Sequence, residues 1–476
     1  MRKLKQQMAG ALAWSFVDRM GQQVFQLIIS LLLARLLTPA DFGLIGILMV
    51  FCTLSYVLVD SGSGSALVRS EKATAIDFSS TFYFNLVVAL AIYATLFFAV
   101  PLIAAFFGQP QIVPVSRIIF LGIIFSAFYL VPLASLTRAL SFRKIATVNI
   151  SAVFLSGAAG IWLALSEAGV WALVAQQLGY HLFRMIFFWI VADWKPTADF
   201  SFFSIQKYWK YSVNLLGVNI LNVLFNNIYV LLLGKFYPLK EVGYYTQANK
   251  LSETANFTIQ SVLNNGIFPV LSKIQAETER FARVLGELTK SIALVSCPLM
   301  LFLVAVAEPL ILVLLTEKWA LAIPYFQILC LANLFAPLYT LNVNALNSRG
   351  KSGLTLRLEF LKKGLIICTL FLFPLGIKVM LGGYALACAL AFLASLFFLK
   401  KELQISIFGQ IKIFFPALLG GIIIAVVVFL LSCFIENKFY LLGFQLITGG
   451  ILYVAFIYFC FSQYYDKVLS FVKSRF

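Results

Sequence analysis

The sequence is poor in almost everything that soluble catalysis draws on. One histidine serves 476 residues, and only 12% of the chain is charged. Acidic residues are the scarcer sign, with 19 Asp and Glu against 36 Lys and Arg. The cysteines are Cys52, Cys297, Cys330, Cys368, Cys388, Cys433 and Cys460. None is in CxxC spacing and all fall in apolar stretches, so they read as buried free thiols rather than a zinc site or a disulfide framework. No complete P-loop is encoded, so a nucleotide-driven motor would have to come from another chain. The longest polar connections, near 193–210 and 271–289, are too short for a separate catalytic domain. No cofactor, no metal site and no enzymatic activity is expected.

What fills the chain is apolar sequence, 62% of it. Fourteen stretches approach the ~20 residues that a helix needs to cross a hydrocarbon core. They lie near 11–34, 43–66, 82–106, 117–137, 145–165, 169–192, 211–234, 247–270, 290–307, 322–346, 359–377, 380–399, 413–435 and 440–462. The expected fold is an all-α polytopic membrane protein of about fourteen transmembrane helices. The basic start is not taken for a secretory signal, because the apolar run behind it is long and carries Asp18, Arg19, Gln22, Gln23 and Gln26.

With the N-terminus in the cytoplasm, 26 of the 36 Lys and Arg fall in cytoplasmic connections and 8 in exterior ones. This is the positive-inside pattern, and it places both termini in the cytoplasm. It also accounts for most of the net charge of +17. The excess meets anionic lipid headgroups along one membrane face, so membrane lipids are expected partners and nucleic acid is not.

Residues 31–43, LLLARLLTPADFG, lie over 231–243, LLLGKFYPLKEVG, at an offset of 200. Arg35 aligns with Lys235, Asp41 with Glu241 and Gly43 with Gly243; upstream, Gln22 aligns with Asn222 and Gln26 with Asn226. Helices 1 and 7 both run outward, so the repeat is parallel and predicts two six-helix bundles with a path between them. The expected organisation is an N-lobe at 1–200, a C-lobe at 201–402, and two further helices in 403–476.

These features resemble polysaccharide-export flippases of the multidrug/oligosaccharidyl-lipid/polysaccharide superfamily, nearest to the O-antigen and colanic-acid exporters. The resemblance is carried by the basic start, by LLLARLLTPADFG, by VDSGSGSALVRSE at 59–71, and by a layout that covers almost the whole chain. It implies that helices 1, 2, 7 and 8 line a central cavity. It also implies alternating access of an undecaprenyl-pyrophosphate-linked oligosaccharide across the bacterial inner membrane, for lipopolysaccharide or capsule assembly. A polysaccharide polymerase and glycosyltransferases are the partner enzymes that the resemblance leaves open. The rival readings are a peptidoglycan lipid-precursor flippase, a cation-coupled drug exporter, and a membrane-embedded sugar polymerase or ligase.

Polar groups at membrane depth are costly and mark candidate positions. Asp18, Gln22 and Gln26 recur at i, i+4, i+8 on helix 1, with Arg19 beside them, and Asn219, Asn222 and Asn226 recur on helix 7. Two such stripes suit opposite walls of a water-filled path, or amides that join helices. His181 and Arg184 share a face of helix 6. Arg184 could receive a pyrophosphate through its forked donors, pair with Asp18, or snorkel to the interface. Asp60 ends helix 2 beside the flexible run 61–65 and is a candidate for gating. Glu253 and Glu308 read as interfacial, and Glu359 as the partner of Arg357, Lys362 or Lys363.

Overall fold

The computed structural model describes residues 2–70, 73–263, 267–403 and 406–460. Glu71 of the 59–71 motif, Lys72, Lys467, Lys473 and Arg475 lie outside the described residues. So do the side chains of Arg2, Lys3, Lys5, Lys207, Lys210, Asn214 and Cys460. The described secondary structure is all helical, in nineteen α-helices and three short 3-10 segments. The first nine are α1 (Arg2–Leu36), α2 (Pro39–Asp60), α3 (Ser63–Arg69), α4 (Ala75–Phe107), α5 (Ile112–Ile119), α6 (Leu121–Arg138), α7 (Phe142–Leu165), α8 (Val170–Val191) and α9 (Phe202–Phe236). Five more follow: α10 (Leu239–Val262), α11 (Phe268–Lys273), α12 (Thr278–Ala305), α13 (Ala307–Leu315) and α14 (Ala322–Leu334). The last are α15 (Ala336–Ser348), α16 (Ser352–Leu370), α17 (Ile377–Leu403), α18 (Ile407–Leu430) and α19 (Lys438–Cys460).

Among the described residues, ten helices are long and apolar enough to cross a membrane. Helices also stand at the other four expected spans, as α1, α8, α10 and α16. Charged groups within them, among them Asp18, Arg184, Glu253 and Glu359, make these four less apolar. Several helix ends are set by local chemistry. Thr38 and Asp41 form a reciprocal capping box at the start of α2, with Pro39 at the first helical position; Thr74 and Asp77 do the same for α4. Each box satisfies backbone N–H groups that would otherwise be unpaired at a helix start.

The run 61–65 is not a flexible connection. Ser61 (φ 45°) and Gly62 (φ 75°) adopt left-handed conformations that end α2, and Ser63 already begins α3. Asp60 accepts the Gly64 N–H at 3.2 Å, which holds the restart in place. The thiol reading also changes. Cys52, Cys297 and Cys330 are buried and Cys388 half-buried, but Cys368 and Cys433 are exposed, a position an apolar thiol can occupy against lipid without a partner.

The chain forms two compact units, Met1–Thr246 and Gln247–Phe476. In the first, α1 packs on α7, α7 on α8, and α9 on α2 and α4. In the second, α12 packs on α18 and α14, and α16 on α17. A close crossing within the first unit involves the motif pair found by sequence. A Cβ on Gly43 would stand 1.9 Å from the Leu239 carbonyl oxygen, and one on Gly243 would stand 1.8 Å from the Pro39 carbonyl oxygen. A Cβ on Gly46 would stand 2.8 Å from Thr246 Cγ2, a side-chain atom. Each contact is matched by its counterpart 200 residues on, as in an isologous contact about a two-fold axis.

One further arrangement recurs in both units. Arg138, the last residue of α6, lies over Phe78 in the first turn of α4, at 5.9 Å. Arg349, just past α15, lies over Phe281 in the first turn of α12, at 5.6 Å.

Candidate functional site

The helical spacing that puts Asp18 and Gln22 on one face of α1 turns both toward α7 and α8. The Gln22 amide donates to Asp18 Oδ1 at 2.8 Å. Asn149 on α7 donates its Nδ2 to both carboxylate oxygens, each at 3.1 Å. The Tyr180 hydroxyl on α8 donates to Gln22 Oε1 at 3.0 Å. Small residues permit this approach of α1 to α7. A Cβ on Gly21 would press on Ile150 at 2.8 Å, and one on Gly157 would overlap Ile29 at 2.1 Å.

Beside this carboxylate lies a cation supported in a different way. The Arg184 guanidinium is 4.2 Å from the Tyr129 ring centroid, 5.2 Å from that of Tyr180 and 5.5 Å from that of Phe188. Its Nη1 donates to the Tyr129 hydroxyl at 3.1 Å, while its Nε is buried without a hydrogen-bond partner. Tyr129 Oη is also 3.0 Å from His181 Nδ1. Because Arg184 can only donate, the tyrosine oxygen accepts from it, and the phenolic proton is satisfied when His181 Nδ1 accepts it. That arrangement is the neutral imidazole carrying its proton on Nε2. The Tyr56 ring also packs on the imidazole, with centroids 4.6 Å apart.

Asp18 and Arg184 interact electrostatically but do not form an ion pair within 4.0 Å. The carboxylate is satisfied by amides, and the guanidinium rests on aromatic faces. An Asp18–Arg184 packing pair is therefore not what the side chains build. Arg19 is exposed and is a second, weaker charge acting on Asp18. Gln26 is half-buried on the same helix.

The asparagine stripe is carried by α9. Asn219 is half-buried, and Asn222 and Asn226 are exposed, on a helix that packs against α2 and α4. The structure brings Asp18 and Gln22 to Asn149 and Tyr180. Asn227 turns its amide onto its own helix, to the Val223 carbonyl at 2.8 Å. Asp60 lines a cavity of about 390 Å³ between α3 and α6, together with Ser65, Arg69 and Thr137.

The residues that sequence reasoning missed are Asn149, Tyr129 and Tyr180. Asn149 carried a usable signal, an amide inside an apolar span. The tyrosines did not, because aromatic residues are ordinary in such helices.

In the second unit, Glu359 accepts from the Tyr339 hydroxyl at 3.0 Å rather than pairing with Arg357, Lys362 or Lys363. Lys362 instead lies over the Tyr339 ring at 4.6 Å. The intervening tyrosine lets the carboxylate and the ammonium share one support without direct contact. Glu253 accepts from Asn249 at 3.0 Å, and Glu308 pairs with Lys438 at 2.8 Å, with both side chains substantially exposed. Glu402 takes Lys351 at 3.2 Å and Arg349 at 3.8 Å.

Comparison with known proteins adds a family and a fold. The family model described as polysaccharide biosynthesis protein matches residues 32–324. The succinoglycan biosynthesis transport protein ExoT of Rhizobium meliloti (strain 1021) is 28% identical over 67% of this chain, a match that spans 65% of that relative's length. The teichuronic acid biosynthesis protein TuaB of Bacillus subtilis (strain 168) is 24% identical over 74% of this chain and 73% of its own. The lipopolysaccharide biosynthesis protein WzxC of Escherichia coli (strain K12) is 24% identical over 63% of this chain and 62% of its own. Among solved structures, the lipid II flippase MurJ in an inward closed conformation superposes with a TM-score of 0.74 at 17% identity, covering 95% of this chain and 99% of that one. An inward-facing multidrug-resistance MATE transporter superposes with a TM-score of 0.64 at 14% identity, over 83% and 98% respectively. At these identities the two structures establish the fold.

Proposed function

This chain belongs to the family of polysaccharide biosynthesis proteins, a multi-pass membrane family, and from that premise we propose that it flips an undecaprenyl-pyrophosphate-linked oligosaccharide across the bacterial inner membrane. The observation that carries the reading is Arg184. It is a guanidinium at membrane depth, with one buried N–H donor unpaired and no carboxylate in contact. Such a group retains positive charge and forked donors for phosphate oxygens. The bulky, anionic headgroup cannot cross hydrocarbon, whereas its isoprenoid tail can stay in the bilayer. A cavity exposed alternately to the two sides would carry the headgroup. Binding alone drives no net flux, so consumption of the product or a gradient must bias the cycle.

The architecture proposed for this cycle is fourteen spans in two parallel six-helix lobes, 1–200 and 201–402, with the two last helices outside the repeat and both termini cytoplasmic. Support comes from the reciprocal contacts of Gly43 and Gly243, and from the Arg138–Phe78 and Arg349–Phe281 pairs at equivalent helix ends. The relatives carrying transport and biosynthesis names support a transporter rather than a polymerase or ligase. In this reading Arg19, Arg184, Gln26, Asn219, Asn222 and Asn226 face the substrate path, Asp18, Gln22 and His181 hold its wall, and Asp60 acts at a gate.

The test is complementation in a host lacking its own exporter, with the lipid-linked glycan and its surface product measured separately. Restored surface glycan is expected from the wild-type chain. Accumulation of the lipid-linked glycan on the cytoplasmic leaflet despite normal protein level would sink the reading. Rescue of a strain lacking its lipid II flippase, without glycan export, would point to the peptidoglycan precursor instead.

A further inference from the structure

We propose that Tyr129 and Tyr180 are positioning residues that hold Arg184 as a locally uncompensated cation for the pyrophosphate of the substrate lipid. The inference rests on the substrate reading above and deepens it. A guanidinium at membrane depth can be stabilised by a carboxylate or by aromatic faces, and the consequences differ. A contacting carboxylate would neutralise it and compete with an incoming anion. Ring faces stabilise it through their quadrupoles and leave its net charge intact. Arg184 uses the second device, with its Cζ 4.2 Å from the Tyr129 ring centroid and 5.2 Å from that of Tyr180. The carboxylate that could have competed, Asp18, is held back by Asn149 and Gln22.

The support is itself oriented. Tyr129 is buried, and its hydroxyl is fixed between Arg184 Nη1 and His181 Nδ1. Tyr180 is fixed by its bond to Gln22. The bond to Tyr129 engages one hydrogen of Nη1, and the donors that remain on the guanidinium suit a ligand of phosphate type. His181 in this scheme orients Tyr129 as a neutral acceptor.

The experiment uses the full-length protein, purified and folded, with binding measured by native mass spectrometry. The probes are undecaprenyl pyrophosphate, undecaprenol, which has the tail without the anion, and phosphatidylglycerol, an anionic lipid without the pyrophosphate. The wild-type protein should prefer undecaprenyl pyrophosphate over undecaprenol by about tenfold or more, the scale of a desolvated charge contact. Tyr129→Leu and Tyr180→Leu should each cut that preference by roughly fivefold, and the double variant should match Arg184→Gln. Undecaprenol binding should not change. Tyr180→Phe keeps its ring face and should retain the preference, whereas Tyr129→Phe also frees His181 and Nη1 and should lose about threefold. The two Phe variants decide the matter should the Leu variants fail to fold, and an unchanged preference in Tyr129→Phe would then overturn the proposal. Preference intact in the double Leu variant but lost in Arg184→Gln would overturn it while leaving the substrate reading standing. No preference in the wild-type protein, or an undiminished one in Arg184→Gln, would remove the substrate role of Arg184 and this inference with it. Phosphatidylglycerol bound as tightly as undecaprenyl pyrophosphate would overturn the assignment to pyrophosphate.

Discussion

Asp18 and Arg184 show how a membrane interior accommodates opposite charges without joining them. Asp18 collects amide donors from α1 and α7, so it anchors one helix to another. Removing it strands those donors, and Asp18→Ala is expected to destabilise the purified protein by about 1–3 kcal/mol. Asp18→Asn should cost less, near the ~0.6 kcal/mol typical of an interhelical polar contact in a membrane. Thermal unfolding in detergent checks the order, and an Ala variant as stable as wild type would mean that Asp18 serves only the cavity. Arg184 should behave oppositely, with folded protein retained and function lost. Surface glycan should fall from Arg through Lys to Gln at position 184, because Lys keeps the charge and loses the fork. Equal export by the wild type and both variants at equal protein level would exclude an anion-binding role.

At the scale of elements, the TPADFG turn is a cap and a crossing at once. Thr38, Pro39 and Asp41 start α2, and Gly43 then lets the first turn of α2 touch the first turn of α10 backbone to backbone. A methyl group at position 43 or 243 meets a carbonyl oxygen, which cannot rotate away as a side chain can. Gly43→Ala and Gly243→Ala are each expected to destabilise by about 3 kcal/mol or more, the upper range for overpacking. Gly46→Ala should cost clearly less, because its neighbour is the Thr246 side chain. Thermal unfolding of the three variants tests this ranking, and equal tolerance at all three positions would mean that the helices separate freely there. The break between α2 and α3 gives a smaller effect. Gly62→Ala imposes a left-handed conformation on a side chain and should cost about 1 kcal/mol.

For the whole molecule, the distribution of Lys and Arg makes an orientation measurable. Alkaline phosphatase fused in the α7–α8 connection, at Glu167, should be active outside the cytoplasm. Fused after Lys195, beyond α8, it should be inactive, because the basic residues there stay in the cytoplasm. The reverse result would invert the topology and with it the depth assigned to Arg184.

Periodicity and composition alone determined that the chain is a bundle of membrane helices, roughly where each helix lies, and that a motif recurs 200 residues on. Those are properties of short windows, because the length of an apolar run and the charge of a loop depend on nothing distant. The polar stripe on α1 was equally legible, since i, i+4 spacing fixes a helix face. What faces that stripe was not. Asn149 and Tyr180 lie 131 and 158 residues from their partners on α1, and only the packing of α7 and α8 brings them there. The same packing decided that Arg184 rests on tyrosines rather than on Asp18, and that Glu359 meets Tyr339 rather than the lysines beside it in sequence. A helix rotation of one residue, about 100°, changes such partners completely while leaving hydropathy untouched. Sequence therefore specified the class, and tertiary contacts chose the partners of Asp18, Arg184 and Glu359.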